Sequence, residues 1–218
     1  LMETEIWPNL LCSAQRAGVP VILANARLSA RSARGYARFR GLVGPAFSAL
    51  SGVAAQTAGD AERLSALGAK VVEVCGNLKF DVRPAADKVE IGRQWRQAIG
   101  NRSVWLAAST REGEEGLVLE AWRRIAMPGA LLVLVPRHPQ RFDEVAALLQ
   151  QQGVRSVRRS RGLPAVDTEV WLGDSMGEMA AYFSLADLAF IGGSLLPLGG
   201  QNLIEAAACG CPVLVGPH

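Results

Sequence analysis

The chain reads as an α/β protein built on parallel sheets, and three observations carry that reading. Short runs that are apolar throughout recur along the chain, amphipathic stretches with helical spacing separate them, and polar or glycine-rich turns follow several of the runs. Strands apolar at every position are buried on both faces, and the helices between them are the layers that cover a parallel sheet.

The opening segment, M-E-T-E-I-W-P-N at 2–9, places Glu3 and Glu5 on a stretch expected to be extended, both side chains facing one way, before a helix that starts near Pro8. Two neighbouring carboxylates can raise one pKa. The pair then serves either proton transfer, or acceptor hydroxyls, or the cap of that helix. P-V-I-L-A-N at 20–25, G-V-A-A-Q-T at 52–57 and V-V-E-V-C-G at 71–76 are strands of a first sheet. Arg27, Arg31, Arg34 and Arg38 follow spacings that a helix aligns into one basic stripe, facing either solvent or the phosphates of an anionic lipid or membrane surface. Residues 58–67 have helical spacing, and Gly68 ends them in the manner of a C-terminal cap.

Residues 81–86, with Pro84, break the pattern before an amphipathic helix carrying Ile91 and Trp95. The expected domains are therefore 1–80, a linker with the next domain's first helix at 81–100, and 101–218. The second domain reads as doubly wound, with strands V-W-L-A-A at 104–108, A-L-L-V-L-V at 130–135, D-L-A-F-I-G at 187–192 and P-V-L-V-G at 212–216. The helix at 112–125 carries Leu117, Val118, Ala121, Trp122 and Ile125 on one face, with Ser109 or Thr110 as its cap. Glu112, Glu114 and Glu115 fall in its first turn, where a solvated carboxylate complements the helix dipole.

Three strand ends of this second sheet offer polar groups where an open α/β sheet binds ligands. After 130–135 come Arg137 and His138, a guanidinium suited to a phosphate. Met176, Gly177 and Glu178 open a helix whose first N–H groups are free for a base edge or a ribose, unless Asp174 or Ser175 caps it. G-G-S-L-L-P-L-G-G-Q-N-L-I-E at 192–205 brings Gly193, Ser194, Gly199 and Gly200 into a loop whose amides can approach an anion, with Asn202 and Glu205 after it for ribose hydroxyls. Arg155, Arg158, Arg159 and Arg161 read as surface turn chemistry.

Composition bounds the rest. With 218 residues, 50% apolar and 20% charged, the chain has material for two modest cores, and a formal charge of +3 without charge blocks does not point to nucleic acid. No run of about 18 breaker-free apolar residues is present to span a membrane. Cys12, Cys75, Cys209 and Cys211 form no C-x-x-C pair and read as buried reduced thiols, and two histidines leave little for a zinc site. Both ends read as cut from a longer chain.

Seven ordered segments resemble the 3-deoxy-D-manno-octulosonic acid (Kdo) transferases of Gram-negative bacteria: M-E-T-E-I-W-P-N, A-N-A-R-L-S-A-R-S at 24–32, G-N-L-K-F-D at 76–81, A-S-T-R-E-G-E-E at 108–115, L-V-P-R-H-P at 134–139, G-D-S-M-G-E at 173–178 and the loop running into N-x-x-E. The resemblance covers the whole length. It implies a GT-B fold of two Rossmann-like domains, the first incomplete here, and a reaction in which a hydroxyl of the lipid A precursor (lipid IVA) displaces CMP from CMP-Kdo with inversion. It further implies Ser109, Thr110, Arg137, His138, Met176, Gly177, Glu178, Gly193, Ser194, Gly199, Gly200, Asn202 and Glu205 on the donor side and Glu3, Glu5, Arg27 and Arg31 on the acceptor side. No cofactor or metal is implied, no D-x-D pair is present, and the partners are CMP-Kdo and the anionic lipid at the cytoplasmic face of the inner membrane.

The family's general base and membrane anchor fall upstream of Met2, so the fragment itself is expected to be soluble, to bind CMP weakly and not to complete transfer. Arg111 stands where the family often has histidine, Gln201 replaces histidine, and Leu203 and Ala206 replace prolines. Two other classes also fit a glycine loop ending in a ribose-binding glutamate: a GT-B enzyme using a UDP-sugar, and a nucleotide-binding domain without catalysis.

Overall fold

The computed structural model describes residues 1–218, which divide into two compact units, Leu1–Asp81 and Val82–His218. The first holds a three-stranded parallel sheet, β1 (Ile22–Ala26), β2 (Gly52–Ala55) and β3 (Val72–Val74), in that order. Around it lie α1 (Pro8–Arg16), α2 (Ala30–Arg38), α3 (Arg40–Ser48) and α4 (Ala58–Ala66). Leu11, Leu23, Val43, Phe47, Val53 and Leu64 fill its core.

Local polar chemistry starts its helices. Pro8 opens α1, where a missing N–H costs nothing, and the Ser29 hydroxyl accepts from Ser32 N at 3.1 Å to cap α2. At α4 the Thr57 hydroxyl accepts from Asp60 N at 3.1 Å and donates to Asp60 Oδ2 at 2.5 Å. Asp60 Oδ1 also accepts from Leu28 N at 2.8 Å, so one buried carboxylate ties the start of α4 to the segment after β1.

The second unit is a six-stranded sheet, wholly parallel, in the order β6-β7-β5-β4-β8-β9. Its strands are β4 (Val104–Thr110), β5 (Leu131–Pro136), β6 (Ser156–Arg158), β7 (Val170–Leu172), β8 (Leu188–Ile191) and β9 (Val213–Val215). The two longest apolar runs, β4 and β5, take central positions, where both faces are covered. One face packs α5 (Ala86–Ile99) and α8 (Met179–Leu185), with Trp95, Trp171 and Tyr182 meeting at ring separations of 5.1 to 5.8 Å. The other packs α6 (Glu114–Ile125) and α7 (Phe142–Gln151) through Leu119, Val145 and Leu149. A five-residue helix, α9 (Ile204–Ala208), precedes β9. No helix of the chain is long and apolar enough to cross a membrane.

Several expectations are corrected. Met2–Glu5 forms a turn, with Glu5 N donating to Met2 O at 3.1 Å and Glu3 at φ 53°, so the two glutamates do not share one side of an extended strand. Neither caps α1, whose preceding residue is Trp7. Arg27 lies before α2, leaving Arg31, Arg34 and Arg38 as the helical stripe. Only Cys211 is fully buried, and Cys75 is exposed. Residues 156–158 are a strand, too short and too polar for an apolar-run criterion to detect, and Arg158 and Arg159 make specific contacts described below.

A side chain at Gly92 would collide with Ala181 O and come within 2.9 Å of Ser184 Cβ, so the contact of α5 with α8 depends on the missing Cβ. Gly116, inside α6, has open space. Gly92→Ala is expected to destabilise the second unit by about 1–3 kcal/mol and Gly116→Ala to stabilise it by about 0.4–1 kcal/mol, measured by urea unfolding.

Candidate functional site

In the second sheet the chain leaves β4 for β5 on one side and later returns to place β8 on the other, so the topological switch point, where open α/β sheets bind ligands, lies at the carboxyl ends of β4 and β8. The backbones approach closely there: a Cβ on Gly192 would collide with Ser109 O and lie 2.6 Å from Thr110 Cα. Ser109 itself sits at φ 56°, an unusual conformation for a residue with a side chain.

The carboxylates expected to be solvated are instead the centre of this edge. α6 begins at Glu114, after Gly113 at φ 87°, with no side-chain cap from Ser109 or Thr110. Glu112 is exposed, but Glu114 and Glu115 are 0% and 1% exposed. Glu114 Oε2 accepts from Arg111 N at 2.9 Å and from Gly193 N at 2.6 Å, and its Oε1 accepts from Leu195 N at 3.0 Å. Glu115 Oε1 accepts from the Thr110 hydroxyl at 2.9 Å and from Arg141 at 2.7 Å. Local spacing marks both only as first-turn acids; their tertiary partners lie in loops that no local pattern connects.

After β5, Arg137 and His138 are exposed, and Arg137 N donates to Thr110 O at 2.9 Å. The short 3₁₀ turn Pro139–Arg141 then turns Arg141 inward to Glu115, so residues 136–141 present one guanidinium outward and one inward.

After β7, Met176 and Gly177 are exposed and α8 starts at Met179. Glu178 is already engaged: Oε1 accepts from Arg159 at 3.0 Å, Oε2 accepts from the Ser175 hydroxyl, and that hydroxyl lies 3.1 Å from Tyr182 Oη. Arg159 also stacks on Trp95, 4.6 Å from the ring centre. Burial pushes the Tyr182 phenol well above its ordinary range, while the Ser175 contact works against that rise. Asp174 caps no helix; it accepts from Arg158 at 2.6 Å, the Ser160 hydroxyl at 2.6 Å and Ser160 N at 2.8 Å. Within the basic group at 155–161, Arg158 and Arg159 thereby form ion pairs with Asp143, Asp174 and Glu178, and Arg155 pairs with Glu169, rather than lying in a loose turn.

After β8 the glycine loop does not leave all its amides free, as two of them hold Glu114. Ser194 is 2% exposed; its hydroxyl donates to Ile191 O at 2.5 Å and accepts from Gly216 N at 2.8 Å. Gly200 N donates back to Gly193 O at 2.7 Å. Asn202 Oδ1 accepts from Ile204 N at 3.0 Å, just ahead of α9, and Glu205 is the second residue of that helix. The loops carrying Ser109 and Thr110, Arg137 and His138, Met176 to Glu178 and Gly193 to Glu205 thus all emerge from carboxyl ends of one parallel sheet. Glu3, Glu5, Arg27 and Arg31 belong to the first unit, where all four are exposed.

A family model described as 3-deoxy-D-manno-octulosonic-acid transferase (kdotransferase) matches residues 1–82. The chain is 48% identical to the 3-deoxy-D-manno-octulosonic acid transferase of Bordetella pertussis, an alignment covering 100% of this chain and 52% of that one. It is 40% identical to the transferase of the same name from Haemophilus influenzae, again over 100% of this chain and 52% of that one. The chain spans about half the length of these curated relatives. A crystal structure of the C-terminal CMP-Kdo binding domain of WaaA from Acinetobacter baumannii matches with TM-score 0.58 and 37% identity, covering 61% of this chain and 72% of that one.

Burial alone would raise the Asp174 pKa, but the Ser160 hydroxyl and amide and the Arg158 guanidinium outweigh it and hold the group below the ordinary carboxylate range. A lowered native pKa contributes stability that is complete above the unfolded value of about 4 and is lost as pH falls through the native value. Asp174→Asn is expected to cost about 2 kcal/mol at pH 7 and to converge with the parent chain as pH falls below about 4 and through the native value, followed by urea unfolding across that range.

Proposed function

The chain belongs to the Kdo transferases, glycosyltransferases of the GT-B type with Rossmann-like parallel-sheet units, and from that membership we propose that it is part of an enzyme that moves Kdo from CMP-Kdo to the lipid A precursor, with inversion at the anomeric carbon. The observation that carries the reading is the 37% identity to a CMP-Kdo binding domain over 72% of that domain. The second unit would hold the donor, in lipopolysaccharide biosynthesis at the cytoplasmic face of the inner membrane.

The reaction needs a place for the negative charge that develops on the departing CMP. Arg137, exposed at the end of β5, can pair with the phosphate, and backbone dipoles at the strand ends add fixed positive potential, so the reading requires no metal. Ser109, Thr110 and His138 would flank that position. The cytidine would rest against the turn at Met176 and Gly177. Glu178, tied to Arg159 and Ser175, would shape that pocket through its backbone more than through its carboxylate. Gly199 and Gly200 would border the phosphate and Asn202 and Glu205 the ribose and sugar, with Gly193 and Ser194 beneath them. In the first unit, Glu3, Glu5, Arg27 and Arg31 would face the acceptor, cations opposite its phosphates and carboxylates near its hydroxyls.

Calorimetric titration separates this reading from its rivals. CMP is expected to bind the chain more tightly than UDP, and Arg137→Ala to weaken CMP about tenfold, as loss of one charge-assisted phosphate contact implies. Tighter UDP than CMP would point to a UDP-sugar enzyme.

A further inference from the structure

We infer that Glu114 is a positioning residue for the donor phosphate: it occupies the inner anion cradle of the glycine loop itself and, through Gly193, holds the outer turn at Gly199 and Gly200 in place beside the ligand. The inference rests on the donor reading above. A loop that follows a strand and turns through glycine with successive N–H groups on one side forms a concave anion site. Gly193, at φ 74°, and Leu195 aim their amides in this way, yet the anion they meet is the chain's own carboxylate, 79 and 81 residues distant in sequence. A donor phosphate therefore does not take these two amides while Glu114 holds them.

Three features make the tie a positioning device. Glu114 is completely buried, and all three donors to it are backbone amides, without a pairing cation, so its placement depends wholly on where the two loops stand. It joins the loop after β4 to the loop after β8, the two sides of the switch point. The restraint also passes outward, because Gly193, which donates to Glu114, accepts from Gly200 N at 2.7 Å. Glu115, its neighbour, has Arg141 and a threonine hydroxyl instead and reaches no amide of the glycine loop.

Glu114→Gln replaces one acceptor oxygen by an NH₂ group that faces either Leu195 N or the Arg111 and Gly193 amides. Titrations of the 218-residue chain with CMP and with cytidine read the consequence, since only CMP carries the phosphate. The expected result is CMP binding weakened about tenfold, cytidine binding within twofold of the parent, and amide exchange at Gly193, Leu195 and Gly200 accelerated at least tenfold. Equal weakening of CMP and cytidine, or unchanged CMP affinity, would overturn the inference. Should the parent chain bind neither ligand, the donor reading fails, and amide exchange alone decides the positioning role: unchanged exchange at Gly200 refutes it. If Glu114→Gln does not fold, Glu114→Asp, which keeps the charge but is one methylene too short to reach both loops, is measured in the same way with the same outcomes.

Discussion

The carboxyl edge of the second sheet depends on one buried carboxylate bridging two loops. Glu114 has three backbone amides and no cation, and it closes the gap between β4 and β8 at the point where the winding of the sheet reverses. A charge in that position is tolerable only because the amide dipoles converge on it, together with the positive end of α6. Remove any of the three, and a desolvated oxygen loses a partner it cannot replace with water. The backbone contact of Gly192 with Ser109 and Thr110 belongs to the same constraint, since a wider separation would put the loops out of reach of a single glutamate.

Around this centre the edge divides its charges into those that are committed and those left available. Arg141, Arg158 and Arg159 are each paired, with Glu115, Asp174 and Glu178, and Arg159 is further fixed by Trp95. Arg137 and His138, after β5, are exposed. The inward pairs keep three guanidiniums from competing for an incoming phosphate, and they hold rigid the strand ends from which the outward residues project. Pre-organisation of this kind avoids ordering cost at the moment of binding.

An apolar-run reading detects β1 to β5, β8 and β9; burial on both faces dictates the composition of the central β4 and β5, whereas β3 and β9 are edge strands that are apolar yet largely exposed, and helix α4 is legible from its spacing and Gly68 stop. β6 was not legible, because Ser156–Arg158 is an edge strand with a single apolar residue, Val157, and nothing in three residues separates it from a turn. The site was legible as strand ends and loops but not as contacts. Arg137 is recognisable from its place after β5, whereas Arg141 and Arg159 acquire their roles from partners 26 and 19 residues away. The glutamates show the same limit: an acidic first turn looks identical whether it faces solvent or the core.

The pattern R-E-G-E-E nevertheless contains a signal, and the structure explains it. Gly113 adopts φ 87°, which turns the chain back towards the sheet just before α6 begins. The first two helical residues then point at the strand ends rather than away from them, so adjacent glutamates can both be buried, Glu114 towards the β8 loop and Glu115 towards the β5 loop. Glu112, on the far side of the glycine, remains in solvent. Three acids that serve only a helix dipole would not need a left-handed glycine among them, since that conformation fixes where the helix starts and which way its first turn faces. The glycine between Glu112 and Glu114 is thus the residue that converts a generic acidic cap into a structural bridge across the switch point.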